Sequence, residues 1–184
     1  GQDDMKIPYS VLENIKALRL ASVDMDKVFV NKNLEVLYAN ANGEIPSSIG
    51  NCTSLKELSL YGNLGGVIPS EIGNCENLEY LSLSNCNLSG TIPEELGNCV
   101  NLHTLVLENN NLTGYIPASL GNCSSLRDIR LNDNMLVGTI PQEVALLPSL
   151  KYMTLYFNNL SGEIPQGLLS NEYLIILCNL FPII

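Results

Sequence analysis

The chain has 184 residues and a formal net charge of −10, with 19 acidic and nine basic side chains. This length predicts a single domain. Residues 36–184 carry 13 acids but only four bases, which are Lys56, Arg127, Arg130 and Lys151. Such a surface repels phosphate, which argues against nucleic acid and anionic membranes as partners and favours a basic partner. Alternatively, the acid excess only keeps the protein soluble.

One unit repeats along most of the chain, and residues 102–117 (LHTLVLENNNLTGYIP) are its clearest copy. Six Ile-Pro pairs recur at one place in the unit, each with a glycine two residues before it. The units, called coils one to eight below, start at Ile15, Leu34, Leu55, Leu78, Leu102, Leu126, Leu150 and Leu174. A fixed period of about 24 residues predicts a solenoid of stacked copies.

The two ends of the chain depart from this period. Residues 1–14 carry no repeat signal, and coil one is degenerate and only 19 residues long. We therefore expect residues 1–33 to form an N-terminal cap with a degenerate first coil, and residues 34–184 to form the repeats. Coil eight breaks at Asn179 and Pro182, so the C-terminal coil is divergent. Its apolar tail is too short to span a bilayer. It predicts either a strand covering the last coil or an end that continues into more repeats or pairs with another chain.

Within each coil the letters predict a short strand, two bends and a helical turn. Leucines at alternate positions point inward, as in Leu105-Val106-Leu107. Asparagines follow the strand at Asn42, Asn63, Asn110, Asn134 and Asn158, and we expect this ladder to pair with the turn and with the next coil. Cys86 interrupts the ladder, and its weakly donating thiol predicts a looser join there. The Gly-x-Ile-Pro segment bends the chain again before one or two helical turns.

Four of the six cysteines occupy one repeat position, in Gly-Asn-Cys triplets at Cys52, Cys75, Cys99 and Cys123. A column of this kind is typical of small buried apolar groups, so we expect free thiols. Neighbouring coils lie about 5 Å apart, however, so a disulfide between adjacent thiols stays open on distance alone. Cys178 lies outside the pattern.

The unit resembles the plant-type leucine-rich repeat, LxxLxxLxLxxNxLxGxIPxxLGN, over roughly residues 34 to 177. The matching positions in coil five are Leu102, Leu105, Leu107, Asn110, Leu112, Gly114, Ile116, Pro117, Leu120, Gly121 and Asn122. The resemblance implies an α/β solenoid, a right-handed superhelix with a parallel sheet on its concave face and short helical or 3-10 turns on its convex face. The paired cap cysteines and the cap tryptophan of this family have no counterpart here, so the chain is expected to be a fragment, a divergent member or an engineered piece.

The resemblance is to receptor-like kinase ectodomains and polygalacturonase-inhibitor-like proteins, which implies a protein or peptide ligand bound by the concave face. It also implies an extracellular or cell-surface location, with a cytoplasmic one left open. Five Asn-x-Ser/Thr triplets would then be candidate N-glycosylation sites, at Asn51, Asn87, Asn111, Asn122 and Asn159. The concave-face residues expected to bind the partner are Tyr38, Tyr61, Tyr80, Glu108, Arg127, Arg130, Tyr152, Tyr156 and Phe157.

Catalysis is not expected, and neither a cofactor nor a metal is predicted. The single histidine, His103, lies at an exposed strand position, and the sequence shows no zinc spacing, P-loop or dinucleotide turn. The leading hypothesis is a non-enzymatic recognition module. The alternative is a structural or assembly protein that associates through its flank or its apolar C-terminal end. Ice binding, known among plant relatives, would need a regular Thr or Asn array, which the column before Ile-Pro lacks.

Overall fold

A computed structural model describes residues 15–23, 25–171 and 175–177. The strands stack into one eight-stranded sheet in the order β1-β2-β3-β4-β5-β6-β8-β10, and every neighbouring pair is parallel. Each strand comes from a different coil, so the predicted solenoid with a parallel sheet is confirmed. The strands of this sheet are β1 (Ala17–Val23), β2 (Val36–Ala41), β3 (Glu57–Tyr61), β4 (Tyr80–Ser82), β5 (Thr104–Val106), β6 (Asp128–Arg130), β8 (Tyr152–Thr154) and β10 (Ile175–Leu177).

Short helical turns lie on the other side of each coil. In coils two to seven the turn follows the Ile-Pro pair, and the proline precedes its first residue because the fixed φ and missing N–H of proline suit that position. Four turns are 3-10 helices, at Ser47–Asn51, Ser70–Asn74, Glu94–Asn98 and Ala118–Asn122. Three are single α-helical turns, at α1 (Met25–Val28), α2 (Gln142–Ala145) and α3 (Gln166–Leu169).

The strand register confirms the predicted frame through coil seven, apart from a shift of one residue between Leu20 and Val23 near the end of β1. Leu18, Leu37, Leu58, Leu81, Leu105, Ile129 and Met153 face one another as a single inward column. These side chains are all buried, together with the leucines that open the coils and the isoleucines of the Ile-Pro pairs from coil two to coil six. The hydrophobic effect therefore acts between coils, since each buries its apolar edge on its neighbours.

The register of the last coil differs from the prediction by one residue. A spacing of 24 would align Leu177 with Met153, but the structure aligns Ile176 with Met153 and Leu177 with Thr154. All three residues of β10 are apolar, so the alternation that fixes register elsewhere is missing from this strand. The predicted capping and self-association by the chain ends lie mostly outside the described residues.

The asparagine ladder is complete in coils five to seven, but it reaches back rather than forward. Asn134 Nδ2 donates to Leu107 O of the preceding coil at 3.0 Å and to Leu131 O of its own coil at 3.2 Å. Its Oδ1 accepts from Leu112 N at 3.0 Å. Asn110 and Asn158 repeat this arrangement with their own preceding coils. The predicted pairing with the next coil is therefore wrong in its direction.

The ladder prediction also fails in coils two and three. Asn42 and Asn63 are exposed, and among the described residues their side chains make no ladder hydrogen bonds. The physical reason is the length of the preceding coil. A ladder side chain hydrogen-bonds to the turn of the coil before its own, and coils one and two, with 19 and 21 residues, lack the full turn. Cys86, at the ladder position of coil four, makes fewer ladder hydrogen bonds than the asparagines of coils five to seven but more than Asn42 and Asn63. Its buried thiol donates to Leu60 O of the preceding coil at 3.2 Å and to Ser84 O at 3.3 Å.

The five cysteines among the described residues are free and buried, as expected from the repeat position of four of them. In that column each Sγ lies between 3.4 and 3.7 Å from a carbonyl oxygen of the preceding coil. Burial raises the pKa of Cys99 to about 12 and that of Cys123 to about 11. These thiols therefore stay protonated at neutral pH and act as small packing groups. Cys178 lies outside the described residues.

A second pairing region runs along the flank that carries the Gly-x-Ile-Pro segment. Here β7 (Val137–Gly138) and β9 (Asn159–Leu160) form a two-stranded parallel sheet, and isolated bridges join Val67 to Ser89 and Thr91 to Thr113. The Tyr115 ring lies over Gly138, where an added Cβ would meet it at 2.5 Å, and the tyrosine remains 70% exposed. We call this surface the flank.

Candidate functional site

The solvent-facing side of the large sheet, called the outer sheet face, carries the residues predicted to bind a partner. Its columns follow the strand register. Tyr38, Ser59, Ser82, Val106, Arg130 and Thr154 form one column. Val36, Glu57, Tyr80, Thr104, Asp128 and Tyr152 form the next column. Both columns alternate with the inward leucines, in agreement with the pattern predicted from Leu105-Val106-Leu107.

The first cluster on this face, called the N-terminal unit, consists of Arg19, Tyr38 and Glu57. The Arg19 guanidinium lies over the Tyr38 ring, 5.0 Å from its centroid. The Tyr38 hydroxyl donates a hydrogen bond to the Glu57 carboxylate. That bond raises the pKa of Tyr38 to about 12, and desolvation acts in the same direction. The unit thus holds an aromatic ring in a fixed position on the face.

The second cluster, called the C-terminal unit, has the same chemical composition four strands away in coils six and seven. Arg130 donates to the Asp128 carboxylate, with Nη2 to Oδ2 at 2.8 Å and Nε to Oδ1 at 3.1 Å. The guanidinium also lies over the Tyr152 ring, 5.2 Å from its centroid. The bond to Asp128 raises the pKa of Arg130. A bidentate pair that also stacks on a ring is more rigid than a lone surface ion pair.

Short side chains lie between these two units. They belong to β3, β4 and β5 and, in one case, to the second residue after β4, and we call them the central strip. Its members are Ser59, Ser82, Ser84, Thr104 and Val106. Ser82 and Val106 are each only 8% exposed, although both lie on the outer face. In the column of Tyr38 and Arg130, larger side chains therefore stand on both sides of a low centre, and Tyr80 borders that centre in the neighbouring column.

Tyr156 and Phe157 follow β8 and form an aromatic pair beside the C-terminal unit. Their ring centroids are 5.3 Å apart at an interplanar angle of 83°. Phe157 is 64% exposed and has a φ of +53°. Asn85, Asn109 and Asp133 hold the equivalent positions with a φ of +56°. Asparagine and aspartate tolerate that conformation, whereas phenylalanine is strained in it, which marks Phe157 as a candidate functional residue.

The remaining predicted face residues are spread along the sheet. Tyr61 ends β3 with 51% of its surface exposed, while Tyr80 and Glu108 are half-buried. Arg127 is exposed but lies one residue before β6, at the edge where the strands begin. Two further residues at outward-facing positions of coils six and seven are buried. Asn132 and Thr154 are each 2% exposed, and the Thr154 hydroxyl donates a hydrogen bond to Asn132 Oδ1.

The strand-start edge carries a further row of charges, one residue before the outer columns. At its N-terminal end Glu35 accepts from Lys16 at 2.8 Å and from Lys56 at 2.9 Å. These two lysines lower the pKa of Glu35 to about 2. At the other end the same position holds His103, Arg127 and Lys151, and the backbone N–H of each donates to the carbonyl of the equivalent residue in the preceding coil. We call these residues the edge row.

Sequence reasoning missed Arg19 and the ion pairs of Glu35. The signal for Arg19 was present, because aligning the degenerate first coil places it in register with Tyr38. A shallow polar depression beside the face was also missed. It lies at the turns of coils four to six and is lined by Asn85, Asn87, Asn109, Asn110, Asn111 and Asp133.

Other kinds of site find little support in the described residues. No group of three or more His, Cys, Asp or Glu side chains there could hold a metal ion. His103 Nδ1 lies 3.0 Å from the hydroxyl of its sequence neighbour Thr104, and among the described residues no carboxylate is hydrogen-bonded to the ring to orient it. No helix among residues 15–23, 25–171 and 175–177 has the length and apolar character to cross a membrane. The asparagines of the five Asn-x-Ser/Thr triplets are all exposed.

Comparison with known proteins places the repeats in a family. Leucine-rich-repeat models match residues 54–75, 76–118 and 100–160. The chain is 33% identical to the plant peptide hormone receptor RGFR1 in complex with RGF2, covering 94% of this chain and 30% of that one with a TM-score of 0.84. It is 35% identical to the leucine-rich-repeat ectodomain of the membrane receptor kinase GASSHO1/SCHENGEN3 from Arabidopsis thaliana in complex with Casparian strip integrity factor 2. That match covers 94% of this chain and 22% of the other, with a TM-score of 0.85.

A plant ice-binding protein is also similar, at 30% identity over 83% of this chain and 49% of its own, with a TM-score of 0.70. No curated protein matches the chain. The chain spans less than a third of the two receptor structures, so likeness to them concerns the repeats. The matches and the stacked coils together show that the chain belongs to the leucine-rich-repeat family, with repeats of the plant type.

Proposed function

We propose that this chain is a non-enzymatic recognition module that binds an extended peptide segment across its outer sheet face. The observation that carries the proposal is the arrangement of that face, with two rigid Arg-Tyr-carboxylate units on either side of the central strip. The similar receptor structures hold RGF2 and Casparian strip integrity factor 2, which supports a peptide-type partner.

The dimensions of the face suit a peptide better than a flat protein surface. Neighbouring strands lie about 4.8 Å apart, so Tyr38 and Arg130 are separated by roughly 19 Å. An extended peptide rises about 3.4 Å per residue, so five or six residues would cross the low centre. Tyrosine and arginine are the side chains that most often dominate binding energy, and here their neighbours already hold them in place. Such preorganisation reduces the entropy lost when the peptide docks.

The test uses a displayed library of random peptides of about twelve residues, selected against the wild-type chain. The dissociation constant of a selected peptide is then measured for the Tyr61→Ala, Tyr156→Ala double variant. The matched control is Tyr115→Ala, which removes an exposed tyrosine from the flank. We expect the double variant to weaken binding at least tenfold, equivalent to about 1.4 kcal/mol, with little change in the control. Equal effects in the two variants would overturn the proposal.

A second candidate function is assembly through the flank, favoured by its exposed apolar side chains. Val67, Tyr115, Met135 and Val137 are between 37% and 70% exposed there. Self-association through this surface predicts that the molar mass in solution rises with concentration and that Tyr115→Ser reverses the rise. Light scattering on both proteins distinguishes the two candidates, since peptide recognition needs only a monomer.

An extracellular or cell-surface location is part of the proposal, supported by the similarity to a receptor ectodomain. Three of the candidate glycosylation sites, Asn87, Asn111 and Asn159, lie on the flank, whereas Asn51 and Asn122 end 3-10 helices. None lies on the outer sheet face itself, although Asn87 and Asn111 line the polar depression beside it. Expression in a secretory host with and without a glycosidase would show a mass difference if these sites are used.

A further inference from the structure

Basic side chains are confined to two places on this acidic chain. Between residues 36 and 184 only four lysines or arginines stand against 13 acids. Lys56 is held by Glu35 at the N-terminal end of the edge row. The other three, Arg127, Arg130 and Lys151, come from coils six and seven. Within residues 36–184 the cations therefore cluster in coils six and seven, next to the C-terminal unit.

The two ends of the edge row differ in how their cations are satisfied. Lys16 and Lys56 share the Glu35 carboxylate. Within the described part of the chain, by contrast, Arg127 and Lys151 form no ion pair and both are exposed. Unpaired cations next to a binding face attract acidic groups and favour ligands that supply them.

Building on the proposed peptide recognition, we infer that the edge row of coils five to seven receives acidic side chains of the bound peptide. His103, Arg127 and Lys151 occupy the same position in three successive coils. They therefore span roughly 10 Å along the edge. Alternate side chains of an extended peptide lie about 7 Å apart on one face, so two acids at positions i and i+2 fit this span.

Among the described residues, the acidic side chains around the edge row form no ion pair with Arg127 or Lys151. Asp128 is bound to Arg130 through both carboxylate oxygens. Glu79 precedes His103 in the row and lies beside Lys56, whose pKa it raises together with Glu35. Glu108 and Asp133 lie at the far ends of their strands. The net charge of the protein favours a basic ligand. The unpaired cations at this edge would repel a basic ligand and favour an acidic one, so the local charge predicts the opposite partner.

The test uses synthetic peptide pools of about ten residues, acetylated and amidated so that only side chains carry charge. Two positions, i and i+2, are fixed as Glu, Gln or Lys in three separate pools, and the others are randomised without charged residues. Binding is measured for the wild type, Arg127→Gln with Lys151→Gln, Tyr61→Ala with Tyr156→Ala, and Lys56→Gln. Lys56→Gln is the matched control, because it removes a cation from the same row that is already paired.

We expect the wild type to prefer the Glu pool to the Gln pool by about five- to tenfold, and the Lys pool to bind least. The Arg127→Gln, Lys151→Gln variant should lose that preference, while Lys56→Gln keeps it. Both altered side chains are exposed, so these variants should fold, and thermal unfolding checks this.

Two results would overturn the inference while leaving peptide recognition intact. In the first, all pools bind equally and still depend on Tyr61 and Tyr156. In the second, the Glu preference persists in the Arg127→Gln, Lys151→Gln variant. Binding by no pool, or binding that is unchanged in the tyrosine variant, would overturn the proposed function as well.

Discussion

Coils one to three and coils four to seven differ in how neighbouring coils are hydrogen-bonded to one another. The later coils have three-residue strands, each followed by a ladder side chain that satisfies the turn of the coil before it. The early coils have strands of five to seven residues, and their ladder positions, Asn42 and Asn63, point into solvent. Longer backbone pairing thus replaces side-chain pairing where the return of the coil is short.

The difference shows that a ladder residue depends on the length of the preceding coil. Coils one and two hold 19 and 21 residues, and the asparagines that follow them are exposed. Coil three holds 23 residues and is served by the thiol of Cys86. Coils four to six hold 24 residues and are served by full asparagine networks. The hydrogen bonding of the ladder residue therefore changes with the length of the preceding coil.

The comparison predicts its largest effect for Asn134→Ala. The substitution leaves Leu112 N without its partner inside the stack. It also removes one of the two amide hydrogen bonds to Leu107 O and to Leu131 O, which keep those from Asn110 and Asn158. One unpaired buried group costs about 1–3 kcal/mol and the two lost bonds add to it, so we expect the free energy of unfolding to fall by about 2–4 kcal/mol. Asn63→Ala is the control and should change it by less than about 0.5 kcal/mol. Urea denaturation measures both, and similar losses would refute the distinction between the two regions.

A smaller effect is expected from repairing the ladder at Cys86. Cys86→Asn alone should destabilise the protein by about 1 kcal/mol, because coil three lacks a full turn to receive the amide. Inserting one residue between Asn63 and Leu64 restores a length of 24 and should convert that loss into a gain. We expect a coupling free energy of about 1–2 kcal/mol in the double-mutant cycle. Purely additive effects would show that coil length does not control the ladder.

Substitution of Phe157 tests whether its positive φ strains the backbone of coil seven. Phe157→Asn relieves an unfavourable positive φ, worth about 1 kcal/mol, and loses a ring contact worth about 0.5 kcal/mol at this exposed site. We therefore expect a net stabilisation of about 0.5 kcal/mol, together with weaker binding of the selected peptide. The matched change is Asn109→Phe, at the equivalent position of coil five, which should destabilise the protein. If Phe157→Asn lowers stability and leaves binding unchanged, the aromatic pair is only structural.

The smallest predicted effect is the pH dependence of stability that arises from Glu35 in the early coils. The pKa of Glu35 is lowered from 4.5 to about 2 by Lys16 and Lys56. Below pH 4.5 the unfolded chain takes up a proton that the folded chain does not, so this stabilisation is present above pH 4.5 and is lost between about pH 4.5 and 2. All three side chains reach solvent, which keeps the effect small.

The measurement is the unfolding midpoint of the wild type and Glu35→Gln from pH 7 to 2. The difference between the curves should be constant above pH 5 and shrink below it, more so at low salt. Parallel curves over the whole range would show that the ion pairs of Glu35 contribute nothing to the pH dependence.

The sequence predicted whatever depends on position within one coil. Inward leucines, outward columns and free thiols follow from alternation and period, and the register from coil one to coil seven agrees with that frame. The failures involve relations between coils. Asn42 and Asn63 match the motif by letter, but their environment depends on the length of a different coil. The slip in β10 arises because its residues are all apolar.

The candidate site was predicted in part for the same reason. The column positions of Tyr38, Arg130 and Tyr152 were predictable from spacing, but their stacking and bonding partners were not. The Arg19 contact requires correct alignment of a degenerate coil. The burial of Asn132 and Thr154 depends on the side chains of two neighbouring strands. Spacing fixes where a side chain starts, whereas its contacts depend on the identities of the neighbours.

The central claim is that the peptide lies in the low centre of the outer sheet face, and Ser82→Phe tests it most directly. The new ring would stand between Ser59 and Val106 and fill the central strip. Thr91→Phe places the same ring on the flank and serves as the control. The account predicts that the dissociation constant of the selected peptide rises at least tenfold for Ser82→Phe and stays within about twofold for Thr91→Phe. An unchanged constant for Ser82→Phe in a folded protein would contradict it.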